Sequence, residues 1–171
     1  SLTLGKNVKS IADRAFEHCM HLETVIFSPS LEVIGEAAFY NAAITEALFP
    51  NSLKKIGSQA FYNCSQMRSL SFGNSISEIG GSAFMRCQSL TEVIIPDTVE
   101  TIGIGAFINC TLLAVVDLPS SLQSLGAGVF NNTLIAALAV AQGEYITFVD
   151  GDDTVASGTY YYNMHILQTN P

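Results

Sequence analysis

The sequence predicts a repeat solenoid, in which successive coils of chain stack with their short β-strands parallel. Three observations predict it. Phe16, Phe39, Phe61, Phe84, Phe107 and Phe130 follow one another at steps of 23, 22, 23, 23 and 23 residues, and the first five are each preceded by alanine. The same words recur around them, from SIADRAFEHC through KIGSQAFYNC to SLGAGVFNNT. An apolar set in the pattern L-x-x-V-x-F then follows each aromatic before the next copy begins. A fixed period of this length marks a protein whose units cannot bury an apolar face alone and so stack on their neighbours.

Each element of the coil can be justified in order. The apolar sets are Leu22, Val25, Phe27; Ile44, Ala47, Phe49; Met67, Leu70, Phe72; Leu90, Val93, Ile95; and Leu113, Val116, Leu118. The last two members of each alternate with a residue free to face outward, which is the period of a strand with one buried face. Turn residues follow at Pro29, Pro50, Pro96, Pro119 and at Gly73 with Asn74. A second apolar pair comes next, as in Leu31 and Ile34, Leu53 and Ile56, Ile76 and Ile79, and predicts a short second strand. Gly35, Gly57, Gly80, Gly103 and Gly126 follow these pairs, where a sharp corner or a positive φ is expected; Ala12 breaks that rule in the first coil. The A-F-x-x-C piece is too short for more than one helical turn. Its alanine lets neighbouring coils approach, and its Phe fills the middle.

Ile135, Leu138 and Val140 repeat the offsets of Ile44, Ala47 and Phe49, so the solenoid is expected to occupy residues 1–143. Residues 144–171 carry strand-like stretches around an Asp-Gly turn without an A-F motif, and are expected to cap the open end. The chain begins with SLTLGKNVKSIADRAF, which enters a repeat partway through its first strand. A trimmed beginning is expected, and missing targeting signals decide nothing.

Composition narrows the function. Of 171 residues 49% are hydrophobic and 13% charged, which suits a narrow coil with several inward faces. The net charge of −8, with no local basic cluster, repels a phosphate backbone and argues against nucleic acid. The longest apolar run, Leu134 to Ala141, falls far short of the roughly 20 residues a membrane helix needs.

The repeat resembles the leucine-rich repeat family, specifically its BspA-type class, whose unit carries the L-x-x-L-x-L strand with I-G-x-x-A-F-x-x-C. The resemblance covers about residues 2–143. It implies a right-handed arc with parallel strands on the concave face, second strands and single helical turns on the convex side, and a C-terminal β cap. It also implies a surface or secreted protein of bacteria or parasitic protists, associated with adhesion to host proteins or other cells. Ala42 and Thr133 depart from the cysteine, Val129 departs from the alanine, and the 22-residue coils are expected to change local curvature.

Few residues suggest chemistry. Cys19, Cys64, Cys87 and Cys110 share one repeat position. Parallel stacking points their Cβ atoms the same way, which reads as a buried thiol ladder rather than disulfides. His18-Cys19-Met20-His21 contains zinc-ligand types but has no second cluster to complete four ligands. Asp150, Asp152 and Asp153 in VDGDDT could gather round calcium, but the twelve-residue loop ending in Glu is absent and a turn is the plainer reading. Asn63-Cys64-Ser65, Asn109-Cys110-Thr111 and Asn131-Asn132-Thr133 match the glycosylation sequon, the first two as a by-product of the repeat. No nucleophile elbow, phosphate loop or paired-acid motif occurs, so neither an enzyme nor a cofactor is expected.

Partner binding is expected on the concave face, where packing leaves two columns free to vary. One reads Thr24, Glu46, Ser69, Glu92, Val115 and the other Ile26, Leu48, Ser71, Ile94, Asp117. Ile26, Leu48 and Ile94 flanked by Glu46 and Glu92 suit a protein surface, such as a host extracellular or cell-surface protein. Second-strand positions instead place Lys9 by Glu32, Glu32 by Lys54 and Lys55 by Glu78, as register-fixing pairs. A structural spacer that projects a neighbouring module is the alternative. Sugar binding would need aromatics over the concave face, whereas the tyrosines concentrate at Tyr160 to Tyr162.

Overall fold

The computed structural model describes residues 1–135, as a stack of coils that each contribute two short strands. First strands are β1 (Leu2–Thr3), β3 (Val25–Ile26), β5 (Glu46–Leu48), β7 (Ser69–Ser71), β9 (Glu92–Ile94) and β11 (Val115–Asp117). Second strands are β2 (Ser10–Ile11), β4 (Val33–Ile34), β6 (Lys55–Ile56), β8 (Glu78–Ile79), β10 (Thr101–Ile102) and β12 (Ser124–Leu125). Coils 1 to 6 are counted from β1 to β11. The remainder of the last coil and the expected cap over 144–171 lie outside the described residues.

The two strand sets behave differently. Second strands form one unbroken parallel sheet in the order β2-β4-β6-β8-β10-β12, with Ile11, Ile34, Ile56, Ile79 and Ile102 in one inward column. First strands form three parallel pairs, β1 with β3, β5 with β7 and β9 with β11. A single bridge between Thr24 and Glu46 links the first two pairs. Between β7 and β9 there is no ladder.

Between the strand sets runs the aromatic file that the period foretold. Phe16, Phe39, Phe61, Phe84, Phe107 and Phe130 stack ring on ring, with successive centroids 5.2, 5.1, 5.3, 5.3 and 5.8 Å apart. Such offset stacking satisfies the ring quadrupoles while each ring fills the bore of its coil. A second file, Phe27, Phe49 and Phe72, lies beside it at 5.3 and 5.7 Å and ends where Ile95 replaces the aromatic.

Two local expectations are corrected. The Phe-centred segments are tight turns and not helical turns: within each, N–H groups bond alternately to the third residue back and to a carbonyl of the next coil, as for Tyr62 to Gln59 and Phe61 to Ala83. Two positions per coil take φ between 51° and 65° to allow this, Ala37 and Asn41 in coil 2 and Gln59 and Asn63 in coil 3 among them. The repeated glycines serve close approach rather than a positive φ. A Cβ on Gly80 would stand 2.5 Å from Ser58 N, and one on Gly57 2.7 Å from Glu36 N, so backbone lies directly on backbone.

Candidate functional site

The outward positions of the first strands form one face, and the register fixes its columns. Glu46 stands beside Thr24 and Ser69, and Glu92 beside Val115. Leu48 stands beside Ser71, and Ile94 beside Asp117. All ten residues of the two expected columns are exposed, while the alternate positions Val25, Ala47 and Val93 are buried against the Phe files. Ile26, Leu48 and Ile94 leave 58, 61 and 59% of their surface open, and Val115 joins them. The face therefore presents large apolar groups on coils 2, 3, 5 and 6, on either side of the serines of coil 4.

Charge separates this face from the second sheet. There Glu32 is gripped by Lys54 at 2.7 Å and Lys9 at 3.3 Å, and Lys55 meets Glu78 at 2.9 Å, as the columns foretold. The hydrogen bonds from Lys54 and then Lys9 hold the Glu32 carboxyl below its ordinary range. On the first-sheet face Glu46 accepts a hydrogen bond from the Ser69 hydroxyl at 3.3 Å, and neither Glu46, Glu92 nor Asp117 has an ion-pair partner among the described residues. Uncompensated carboxylates thus border exposed aliphatic groups.

A cleft of about 480 Å³ opens on this face where β7 and β9 part, lined by Ser69, Ser71, Glu92 and Ile94, with Arg68 preceding them and Phe72 beyond. Sequence reasoning placed these residues on one face but missed the opening between them. The available signal was that both columns carry serine at coil 4 alone.

The other candidates resolve as structure. Cys64, Cys87 and Cys110 are buried, and each S–H donates to the carbonyl of a Phe in the preceding coil, Phe39, Phe61 and Phe84, at 3.2, 3.4 and 3.2 Å. Burial pushes the Cys64 and Cys110 thiols up to about 12 and raises Cys87 as well. Thiols so protonated are poor nucleophiles and poor metal ligands at neutral pH. Two of the sequon asparagines sit in a side-chain ladder: Asn63 donates to Asn41 at 2.7 Å, and Asn132 donates to Asn109 at 3.0 Å. His18 packs edge-on to Tyr40. No group of three potential metal ligands gathers among the described residues, and Asp150, Asp152 and Asp153 fall outside them.

The sequence reading also missed a row on the turn side. Tyr40 and Tyr62 stack in parallel at 4.6 Å, and Arg86 lies over Tyr62 at 5.8 Å. The signal was available, since both tyrosines directly follow the repeating Phe.

Short parallel strands wound in register about an aromatic file, with a variable face over a constant core, define the leucine-rich-repeat class of solenoids. Within that class the BspA-type leucine-rich repeat model matches in six copies over residues 1–102 and 32–148, and the chain belongs to that family. Members of the family are generally protein-interaction modules and generally non-catalytic. No curated protein matches the chain. Among solved structures it is similar to a leucine-rich repeat protein of T. pallidum, TpLRR, at 23% identity and a TM-score of 0.68, covering 83% of this chain and 81% of that one. It is similar to the pneumococcal vaccine antigen PcpA at 29% identity and a TM-score of 0.63, over 70% of this chain and 30% of that one. A leucine-rich repeat protein from Eubacterium ventriosum matches at 20% identity and a TM-score of 0.59, over 93% and 47%. The chain thus spans less than half the length of the last two.

Proposed function

We propose that this chain is a non-catalytic, cell-surface or secreted module that binds another protein, such as a host extracellular or cell-surface protein, through the face of its first strands. The observation that carries the reading is the set of large exposed apolar residues that share that face. Ile26, Leu48 and Ile94 stand open on the first-strand face, whose inner side is already filled by the Phe files; strand propensity accounts for each of them singly, and their gathering on one face is what supports a binding surface. Family membership supports a protein partner, and the likeness to a vaccine antigen supports exposure at a cell surface. No described helix is long and apolar enough to cross a membrane.

The test is the triple variant Ile26→Ser, Leu48→Ser, Ile94→Ser. Capture and crosslinking of a partner from host extracellular material is expected to fall at least tenfold, while the melting temperature stays within a few degrees because all three side chains face solvent. Unchanged capture would favour the spacer reading instead. Collapse of the fold would show that these positions belong to the core.

A further inference from the structure

The first-strand face is uneven along the stack. At coil 4 both outward residues are short, Ser69 and Ser71, whereas coil 3 presents Glu46 and Leu48 and coil 5 presents Glu92 and Ile94. The ladder is open on one side of the same coil. Phe49 N–H bonds to Ser71 O and Ile95 N–H to Asp117 O, but the equivalent bond from Phe72 N–H to Ile94 O is not made. Gly73 holds coil 4 against coil 3, since a Cβ there would collide with the Pro50 carbonyl. Short side chains between long ones make a groove that runs along the strands over coil 4; where the ladder parts on its β9 side it deepens into the cleft of about 480 Å³, lined by Ser69, Ser71, Glu92 and Ile94, while Glu46 and Leu48 rise on the β5 side outside that cleft.

Its walls change character along their length. Glu46 and Glu92 face each other first, both without an ion-pair partner, although Glu32 and Glu78 on the second sheet are paired with lysines. Two residues further on the walls are Leu48 and Ile94, both exposed. In extended chain two residues span roughly 6.6 Å, and a strand laid along the groove repeats at the same distance. Opposite walls stand at least two strand spacings apart, roughly 9.6 Å or more, which leaves room for one side chain between them.

The geometry points to a specific occupant: an extended segment of a partner protein that carries Lys or Arg and, two residues away, a large apolar side chain. This rests on reading the face as a protein-binding surface. The cation lies between Glu46 and Glu92, the apolar group lies between Leu48 and Ile94, and the serine hydroxyls meet the segment's backbone. Arg68 lines the end before Ser69 and repels a second cation, which sets the direction in which the segment lies.

The test is titration of the isotope-labelled chain with three synthetic peptides in a common Gly/Thr background, followed by backbone amide shifts. One carries Lys-Thr-Leu, one has Lys and Leu adjacent, and one carries Glu-Thr-Leu. The first is expected to shift Ser69, Ser71, Glu92 and Ile94 and to bind about tenfold tighter than the others. Ser71→Trp, which fills the groove, should abolish binding. Glu46→Gln with Glu92→Gln should weaken it about tenfold and remove most of its salt dependence, while Glu32→Gln with Glu78→Gln, an equal loss of charge elsewhere, leaves it unchanged. Equal binding of all three peptides, shifts outside the groove, or no binding at millimolar concentration would overturn the assignment. If partner capture still depends on Ile26, Leu48 and Ile94 after such a result, only the groove falls and the protein-binding reading stands.

Discussion

At the scale of single residues, the constraint is how closely one coil lies on the next. The buried thiols fit that constraint because sulfur fills the wall of the coil and its weak donor finds a carbonyl of the coil before. Alkylation with iodoacetamide at pH 8 should therefore modify Cys19, which is partly exposed, and spare Cys64, Cys87 and Cys110 until the chain unfolds. Mass spectrometry of the native and denatured protein checks this; rapid labelling of Cys87 in the native state would contradict its burial. The raised thiols also set an alkaline limit with a definite sign. Unfolded thiols ionise near 9 and the folded Cys64 and Cys110 near 12, so stability is complete below about pH 9 and declines above it as the unfolded state loses protons first. Replacing these cysteines with alanine should flatten the fall in melting temperature between pH 9 and 11. Glycine obeys the same spacing rule. Gly80→Ala forces a Cβ against Ser58 N and should cost about 1–3 kcal/mol, whereas Gly5→Ala, with open space around it, should be nearly neutral. Paired denaturant melts decide the comparison.

At the scale of elements, the second sheet is the register-keeper and the first sheet the variable face. Glu32, held between Lys9 and Lys54, has a depressed carboxyl, so its contribution is present above the ordinary carboxylate range and is lost as pH falls through the lowered value. Glu32→Gln should remove that part of the acid sensitivity and leave the melting temperature at pH 7 slightly lower. An unchanged acid limb would mean the pair contributes nothing in solution, as exposed pairs often do. Much of this level was legible beforehand: the strand columns, the inward isoleucines and all three second-sheet ion pairs follow from a period of about 23 and an alternation of 2. What escaped was set by backbone packing rather than by pattern. Left-handed positions such as Gln59 and Ser82 carry no special residue type, the repeated glycines look alike whether they turn the chain or merely clear it, and the apolar pattern is the same at β7 and β9 although the two strands do not pair. Serine at both outward positions of coil 4 was the one visible sign of the groove.

At the scale of the whole molecule, a solenoid is held together only between neighbours, so its weakest joint governs how it opens. That joint lies between coils 4 and 5, where first strands do not pair and cohesion falls to the β8–β10 ladder, the turn hydrogen bonds of Ser82 to Ile104, Phe84 to Ala106 and Arg86 to Ile108, the Cys110 thiol on the Phe84 carbonyl, and the packing of the core, with Phe84 stacked on Phe107. Phe84 also meets two rings of the second file, Phe49 at 6.5 Å and Phe72 at 6.1 Å, whereas Phe39 and Phe61 each meet one, Phe27 at 6.0 Å and Phe49 at 5.5 Å. Phe84→Ala should therefore cost about 5 kcal/mol, the top of the roughly 3–5 kcal/mol range for a buried aromatic. Phe107→Ala, whose ring contacts only Phe84 and Phe130 among the described aromatic residues, should cost less. Hydrogen exchange should show the loss unevenly: amides of β8, β9 and β10 lose protection first, while β4 and its neighbours keep theirs. A uniform loss across all coils would mean that the stack unfolds as one cooperative block, and the open ladder would then mark a recess in a rigid rod rather than a joint at which the rod can flex.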